Sequence, residues 1–472
     1  MLCVAITGSY KKTAQQIQSV LADADLIELR LDMIDGWNIE WLEQLRKQFR
    51  KPMIFVLRPP SQGGHYKKSE ANRLEELRQL AALEPEYLDL ESTVPASFVA
   101  EIKDRHPDID IILSYHDFKK IPEDLDSLYE KMRQTPASLY KIAVNPKDTT
   151  ETLRFISWAK KKNTKNNNNI IALCMGAEGE VSRIVAPLIG NPITFASLAP
   201  ELESAPGQIP FKILSERYRY HSLGPETKIF GLIGNPVVQS IGDRTHNQFF
   251  EEHDLDAVYV KMRVEPGKLK EFLQVAKQLR FRGFSVTMPH KEKVIPFLDE
   301  IDAEARQIGA VNTLVWREGK WIGYNTDGIG ALNAIEKVLR VKEKRVVILG
   351  AGGSAKAIAF EAHRRGALLV IVNRDKNRAQ ELAKAYGGKA WGLEEMHECS
   401  KEGYEVIINT IPVGMPIEKE DILRGTVVMD IIAKHQGNDF LEAAKEKGCK
   451  TMTFYEMFME QALRQFKLWF GL

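Results

Sequence analysis

No apolar run in this 472-residue chain approaches the roughly 20 residues that a membrane-spanning helix requires. Net charge of one sign is equally scarce: 65 basic and 64 acidic side chains leave a formal charge of +1. That balance argues against nucleic acid or an anionic membrane as partner, although local arginine clusters could still bind a small anion. Cysteine is sparse as well. Cys3, Cys174, Cys399 and Cys449 stand far apart, with neither metal-ligand nor redox spacing, so they read as reduced packing residues of a cytoplasmic protein. The opening Met1-Leu2-Cys3-Val4-Ala5-Ile6-Thr7 reads as an immediate strand. It lacks the basic start and cleavage site of a signal peptide and the Arg/Ser-rich character of a transit segment.

What is present is the composition of a soluble globular protein, 44% hydrophobic and 27% charged. At this length two or three domains are expected. The first half alternates short β-branched runs with longer amphipathic stretches. Eight strand candidates fall at 2–7, 26–31, 53–57, 87–91, 111–115, 140–144, 170–174 and 193–197, and the spacers are mostly long enough for a helix each, as at 69–83. Eight such units in roughly 220 residues suit a (β/α)8 barrel, which carries its chemistry at the C-terminal strand ends. The polar tract from Lys160 to Asn169 is expected to be a solvated loop inside the barrel. The better domain boundary lies at Ser222–Thr227, after which a fresh strand begins at Lys228.

Lys141 interrupts the apolar run Tyr140-Lys141-Ile142-Ala143-Val144. Its ammonium must either reach water by snorkelling or accept a lowered pKa. In the second case it is partly neutral near pH 7 and can form a Schiff base with a ketone. Polar groups recur at the other strand ends: Glu28 and Arg30, Arg58, Asp89 and Glu91, Ser114-Tyr115-His116-Asp117, Ser182-Arg183, and Ser204-Ala205-Pro206-Gly207-Gln208. A core would not choose them, and their recurrence points to a site. No His/Cys spacing suggests a metal.

These motifs, in order along residues 1–210, resemble type I 3-dehydroquinate dehydratase. The resemblance implies that Lys141 forms an imine with the substrate ketone, that His116 is the general base and then acid, and that Glu91 orients the imidazole. It also implies that Arg183 holds the substrate carboxylate as a bidentate fork, that Glu28, Arg30 and Arg58 line the pocket, and that Ser204 and Gln208 ride on a closing lid.

The second half opens another α/β pattern. Strand Arg345–Leu349 runs into Gly350-Ala351-Gly352-Gly353-Ser354-Ala355, the glycine turn that brings a dinucleotide pyrophosphate to a helix N-terminus. Such turns also occur without ligands. The next strand ends in Asn373-Arg374-Asp375. Its arginine favours the 2′-phosphate of NADP, and its aspartate favours the ribose hydroxyl of NAD, so NADP is preferred. Thr287-x-Pro289-x-Lys291 sets a cation on a turn and Asn325-Thr326-Asp327 supplies a carboxylate. Such a pair can relay a proton; it can also be a surface ion pair worth little.

With Ser240, Asn312 and the segments 409–415 and 457–462, residues 228–472 resemble shikimate dehydrogenase. That resemblance assigns Lys291 and Asp327 to catalysis, Ser240, Thr287, Asn312 and Gln461 to the substrate, and Gly350, Gly352, Gly353, Ser354, Ala355, Asn373, Arg374 and Gly414 to the cofactor. Three residues depart from it: Gly242 and Ala433 each lack a hydroxyl expected near the substrate carboxylate, and Ser285 matches the plant bifunctional form.

The implied architecture is a barrel at 1–222, a substrate-binding lobe at 228–330 completed by 452–472, and a Rossmann-like NADP-binding lobe at 331–451. The order of halves resembles the fused enzymes of plants and chlamydia-like bacteria, and the missing transit segment favours a bacterial cytoplasm. The implied small-molecule substrates are 3-dehydroquinate, 3-dehydroshikimate and shikimate, with NADPH and no metal. Other readings remain open at this point: a Schiff-base aldolase fused to another reductase, or a second half that acts on a quinate-like substrate or only binds.

Overall fold

The structure, a computed structural model, describes residues 1–165, 168–432 and 438–472. Contacts divide it into two units. One comprises Met1–Lys228, Asn247–Val264 and Glu271–Arg280, the other Ile229–His246, Glu265–Lys270 and Phe281–Leu472.

The first unit contains the eight expected strands: β1 (Leu2–Ser9), β2 (Leu26–Asp35), β3 (Met53–Val56), β4 (Tyr87–Glu91), β5 (Asp110–Asp117), β6 (Leu139–Val144), β7 (Ile170–Cys174) and β8 (Thr194–Ser197). They run parallel in the order β7-β6-β5-β4-β3-β2-β1-β8. At the seam between β7 and β8 the Asn191 amide bonds both backbone groups of Ala172, at 3.2 and 2.8 Å. A side chain thereby does the work of a missing ladder pair. The intervening helices start on side-chain caps where the sequence offers them: Asn38, Ser69 and Asp124 each accept a backbone N–H of the first turn.

Strand alternation explains where the chemistry sits. Cys3, Leu26, Ile54, Val56, Ile112, Ala143, Ile171, Leu173, Ile193 and Phe195 form the apolar cluster inside the barrel. Positions of the same parity on β2, β4, β5 and β6 include Glu28, Asp89, Ser114 and Lys141. A period of two therefore brings the polar groups of these four strands to the same face as the apolar cluster.

The polar tract at 160–169 departs from expectation. Helix Thr149–Lys165 continues through its lysines, which are good helix formers. Asn163 turns inward and bonds Ile170 N–H and the carbonyls of Ile170 and Ile189. Asn166 and Asn167 lie outside the described residues.

In the second unit, strand Phe281–Val286 pairs parallel with Lys228–Gly234 and antiparallel with Thr313–Arg317. A separate parallel sheet orders Lys389–Gly392, Leu368–Asn373, Arg345–Leu349, Val406–Asn409, Val427–Asp430 and Lys450–Met452. Alternate residues of its central strands join two different apolar clusters, Val346 and Ile348 in one, Val347 and Leu349 in the other. That is the signature of a sheet covered on both faces. The final helix, Phe454–Phe470, is opened by a Thr453–Glu456 capping box. Its Trp469 Nε1 donates to the Leu314 carbonyl at 3.0 Å, which ties the chain end back to strand Thr313–Arg317. Among the described residues no helix is long and apolar enough to cross a membrane.

Candidate active sites

Lys141 is held inside the barrel. It is 3% exposed, so it does not snorkel, and its Nζ donates to Asp89 Oδ2. Glu28 Oε1 lies 3.9 Å away and the Phe195 ring centroid 4.6 Å. A buried ammonium is tolerated when a carboxylate with satisfied lone pairs meets it. Asp89 is such a partner: Oδ1 also accepts from Arg58 at 3.0 Å and from Ser114 Oγ at 2.7 Å. Burial alone would push its carboxyl up, but Lys141 and Arg58 outweigh that and hold it well below the usual carboxylate range.

His116 lies in the same pocket with its Nδ1 unpartnered among the described residues. Burial, reinforced by the Arg58 and Lys141 charges, drives its pKa well below the ordinary histidine value. The imidazole is therefore neutral at pH 7 and able to take a proton. Phe118 stacks 6.3 Å from it.

Glu91 does not meet the imidazole. Its Oε2 accepts from Arg73 at 2.7 Å and its Oε1 lies 3.5 Å from Arg58 Nε. Arg73, fully buried on helix Glu70–Ala81, also bonds the Leu57 carbonyl at 3.0 Å. Glu91 and Arg73 thus brace Arg58 from behind. The residue beside His116 is Gln62, whose Oε1 accepts the His116 backbone N–H at 3.3 Å and which lines the pocket. Neither Gln62 nor Arg73 was singled out from sequence. An amide on a turn and an arginine on an amphipathic helix carry no local signal; only their place beside the strand ends does.

Arg183 is buried without an ion-pair partner among the described residues. It makes one hydrogen bond, to the Phe195 carbonyl at 3.3 Å, and its Nε has none. Burial pulls its guanidinium down to about 10, so at neutral pH it remains a cation. A lone buried cation facing a cavity is a receptor for an anion. Arg30 forks onto Asp32 at 3.0 and 2.8 Å and reaches the Ser204 carbonyl at 3.0 Å. Gln208 Oε1 accepts from Ser204 N–H and Oγ at 2.8 and 3.2 Å, so the Ser204–Gln208 loop is drawn over the mouth. Of the residues expected at this site, all but Glu91 line one pocket.

In the second unit, Lys291 on the short helix His290–Lys293 donates to Asp327 Oδ2. Asp327, almost wholly buried at the head of helix Asp327–Glu336, also accepts from Asn312 Nδ2 at 2.7 Å. Asn312 in turn reaches Thr326 Oγ1 at 3.0 Å and Gln461 Oε1 at 3.5 Å. Hence Lys291, Asp327, Asn312 and Gln461 come together, as expected. Thr287 packs on Gly234, where an added Cβ would fall 2.2 Å from its methyl. Ser240 Oγ accepts the Gly242 N–H at 3.1 Å. Ser285 is held inward by Gln465 at 2.8 Å. Ala433 lies outside the described residues.

The glycine turn fits a dinucleotide. Gly350 has φ +111, and a Cβ there would strike Thr410 Oγ1 at 2.3 Å, whereas Gly352 faces open space. Helix Gly353–Arg364 has no side-chain cap, which leaves its first N–H groups for an anion. Asp375 is engaged at the next helix, where its Oδ1 accepts the N–H groups of Asn377 and Arg378 at 3.1 and 3.4 Å. Arg374 is exposed beside it, and Arg378 reaches the Ala351 carbonyl at 3.4 Å. Two guanidiniums at this strand end suit a 2′-phosphate. Gly414 follows strand Val406–Asn409.

Comparison with known proteins agrees with this geometry. Residues 2–225 match the type I 3-dehydroquinase family, 232–314 the shikimate dehydrogenase substrate binding domain, and 333–431 the shikimate/quinate 5-dehydrogenase family. The chain is 37% identical to the chloroplastic bifunctional 3-dehydroquinate dehydratase/shikimate dehydrogenase of Arabidopsis thaliana, over 95% of this chain and 78% of that protein. It is 37% identical to the shikimate biosynthesis protein AroDE of Chlamydia pneumoniae, over 100% of this chain and 95% of the relative. The shikimate dehydrogenase (NADP(+)) of Methanococcus aeolicus is 37% identical over 53% of this chain and 94% of its own length.

Proposed function

The chain belongs to the family of bifunctional 3-dehydroquinate dehydratase/shikimate dehydrogenases, and from that premise we propose how its own residues divide the work. It is an enzyme of the shikimate pathway that dehydrates 3-dehydroquinate to 3-dehydroshikimate and reduces that product to shikimate. The observation that carries the assignment of roles is the buried Lys141–Asp89 pair in a pocket shared with neutral His116 and lone Arg183.

Arg183 receives the substrate carboxylate, completing an ion pair it lacks within the chain. Lys141 passes a proton to His116 and attacks the C3 ketone; His116 returns that proton to the departing water, and the iminium so formed draws electrons from C2. His116 removes the C2 proton and returns it to the departing C1 hydroxyl, after which hydrolysis of the imine frees Lys141. Asp89 keeps the lysine nitrogen at the pocket, while Glu91 and Arg73 hold Arg58. The Arg30–Ser204 contact brings the lid across.

Because burial lowers the His116 pKa, its base form persists as pH falls through the ordinary histidine value near 6.5. The kcat/KM for dehydration is expected to stay level from pH 7.5 to 6 and to fall only below that. A pH–rate profile with an acid limb centred near 6.5 would contradict this role for His116.

For the reduction, Gly350, Gly352, Gly353, Ala355 and the Ser354 backbone would hold the nucleotide's pyrophosphate, with Asn373, Arg374 and Gly414 around it. NADPH supplies the hydride when bound. Lys291 gives the proton to the ketone oxygen, and Asp327 holds its ammonium in place. Asn312 and Gln461 orient the substrate oxygens, with Ser240 and Thr287.

With Arg374 exposed at the strand end and Asp375 Oδ1 turned to the next helix, NADPH is preferred over NADH. Arg374→Ala should erode that preference in kcat/KM by about tenfold, the size of one charged hydrogen bond. Asp375→Thr, which keeps a capping oxygen, should leave it. Steady-state kinetics with both nucleotides checks the pair of results. We place the functional boundaries at 1–222, 228–330 with 452–472, and 331–451. The four free cysteines suit a reducing compartment, so we place the enzyme in the cytoplasm.

A further inference from the structure

Ser354 belongs to the glycine turn of the cofactor lobe, yet its side chain is engaged elsewhere. Lys291 Nζ donates to Ser354 Oγ at 2.9 Å, and that hydroxyl donates onward to Asp327 Oδ2 at 3.3 Å. The serine thus bridges ammonium and carboxylate alongside their direct contact, accepting from one and donating to the other. The contact is held by close packing on both sides. A Cβ on Gly353 would come within 3.2 Å of Lys291 Cβ and 3.3 Å of Ala310 Cβ. One residue along, Glu292 pairs with Lys356 of helix Gly353–Arg364, at 3.2 Å. Helix Asp327–Glu336 lies directly on the same helix, since a Cβ on Gly328 would fall 2.2 Å from the Ala357 carbonyl. Three contacts therefore fix the turn against the proton-transfer pair.

We infer that Ser354 is a positioning residue for the dehydrogenase, its hydroxyl holding the Lys291 ammonium against Asp327 and so fastening the dinucleotide turn to the proton donor. The assignment rests on the reduction described above. A serine serving only the pyrophosphate would act on nucleotide affinity; one that sets Lys291 acts on turnover.

The test compares the full-length wild type, Ser354→Ala, Ser354→Thr and Asp327→Asn in the reduction of 3-dehydroshikimate, with NADPH affinity measured separately by fluorescence titration. Ser354→Ala should lose about tenfold in kcat, the scale of one hydrogen bond to a charged group. Its Kd for NADPH should stay within about threefold of wild type, which also shows that the lobe is folded. Ser354→Thr, which keeps the hydroxyl, should restore most of the turnover. A weakened NADPH Kd with kcat intact overturns the inference, as does a loss in the alanine variant that threonine does not repair. Wild-type protein that binds NADPH but does not turn over refutes the reduction itself, a result distinct from a silent Ser354 in an active enzyme.

Discussion

Lys141→Met should abolish dehydration, lowering kcat/KM by on the order of 10⁴-fold or more, a barrier increase of at least about 5 kcal/mol. Methionine approximates the volume of the lysine stem, so the barrel interior stays filled. Asp89 would not be stranded, because Arg58 and Ser114 still meet its Oδ1 at 3.0 and 2.7 Å. The loss would therefore report chemistry more than folding. Borohydride added with 3-dehydroquinate should trap a covalent adduct on the wild type and none on the variant. Reduction of 3-dehydroshikimate supplied directly should persist, since the second unit carries its own Lys291–Asp327 pair. A trapped adduct on Lys141→Met, or dehydration within tenfold of wild type, would remove Lys141 from its role.

Asp327→Asn should give the complementary phenotype. The new side chain keeps an oxygen for Asn312 Nδ2, now 2.7 Å from Oδ1, so the local fold survives. Where Oδ2 accepts from Lys291 and Ser354, an amide N–H₂ would present donors to donors. Loss of the aligned proton donor should cut reduction by about 10²- to 10⁴-fold, the usual span for acid–base catalysis. Dehydration should be unchanged, so 3-dehydroquinate with NADPH would accumulate the enone while the nucleotide remains reduced. NADPH consumption at the wild-type rate would show that the pair is only structural.

The barrel was legible because strand alternation is a local property. Each of the eight strands announces itself, and the polar residues at its end stand out against the apolar floor. Lys141, His116 and Arg183 could be found from that pattern together with the family resemblance. The partner of Lys141 could not. Asp89 and Glu91 have the same parity on β4, and only the stagger of neighbouring strands decides which of them meets the lysine. In the observed register Glu91 lies opposite Ser114 and Ser114 opposite Lys141, yet it is Asp89, one pleat below, that takes the ammonium. Glu91 is left to Arg73 and Arg58. Stagger across three strands is a property of the closed barrel and not of any one segment.

The same limit applies in the second unit. The glycine turn announces a dinucleotide, so Ser354 was assigned to the cofactor. That its hydroxyl also meets Lys291 follows from the packing of Gly328 and Gly353, where the absence of a Cβ lets backbone and side chain approach. Asp375 shows the converse. A carboxylate at this strand end suggests a ribose contact, but the helix that starts after it claims one of its oxygens.

The most direct test of the whole assignment is a coupled assay on the unmodified chain. With 3-dehydroquinate alone, enone absorbance should rise; when NADPH is then added, it should fall as NADPH is oxidised and shikimate appears in equal amount. Failure of the enone to form, or an enone that persists with NADPH and NADH alike, would contradict the two-reaction account.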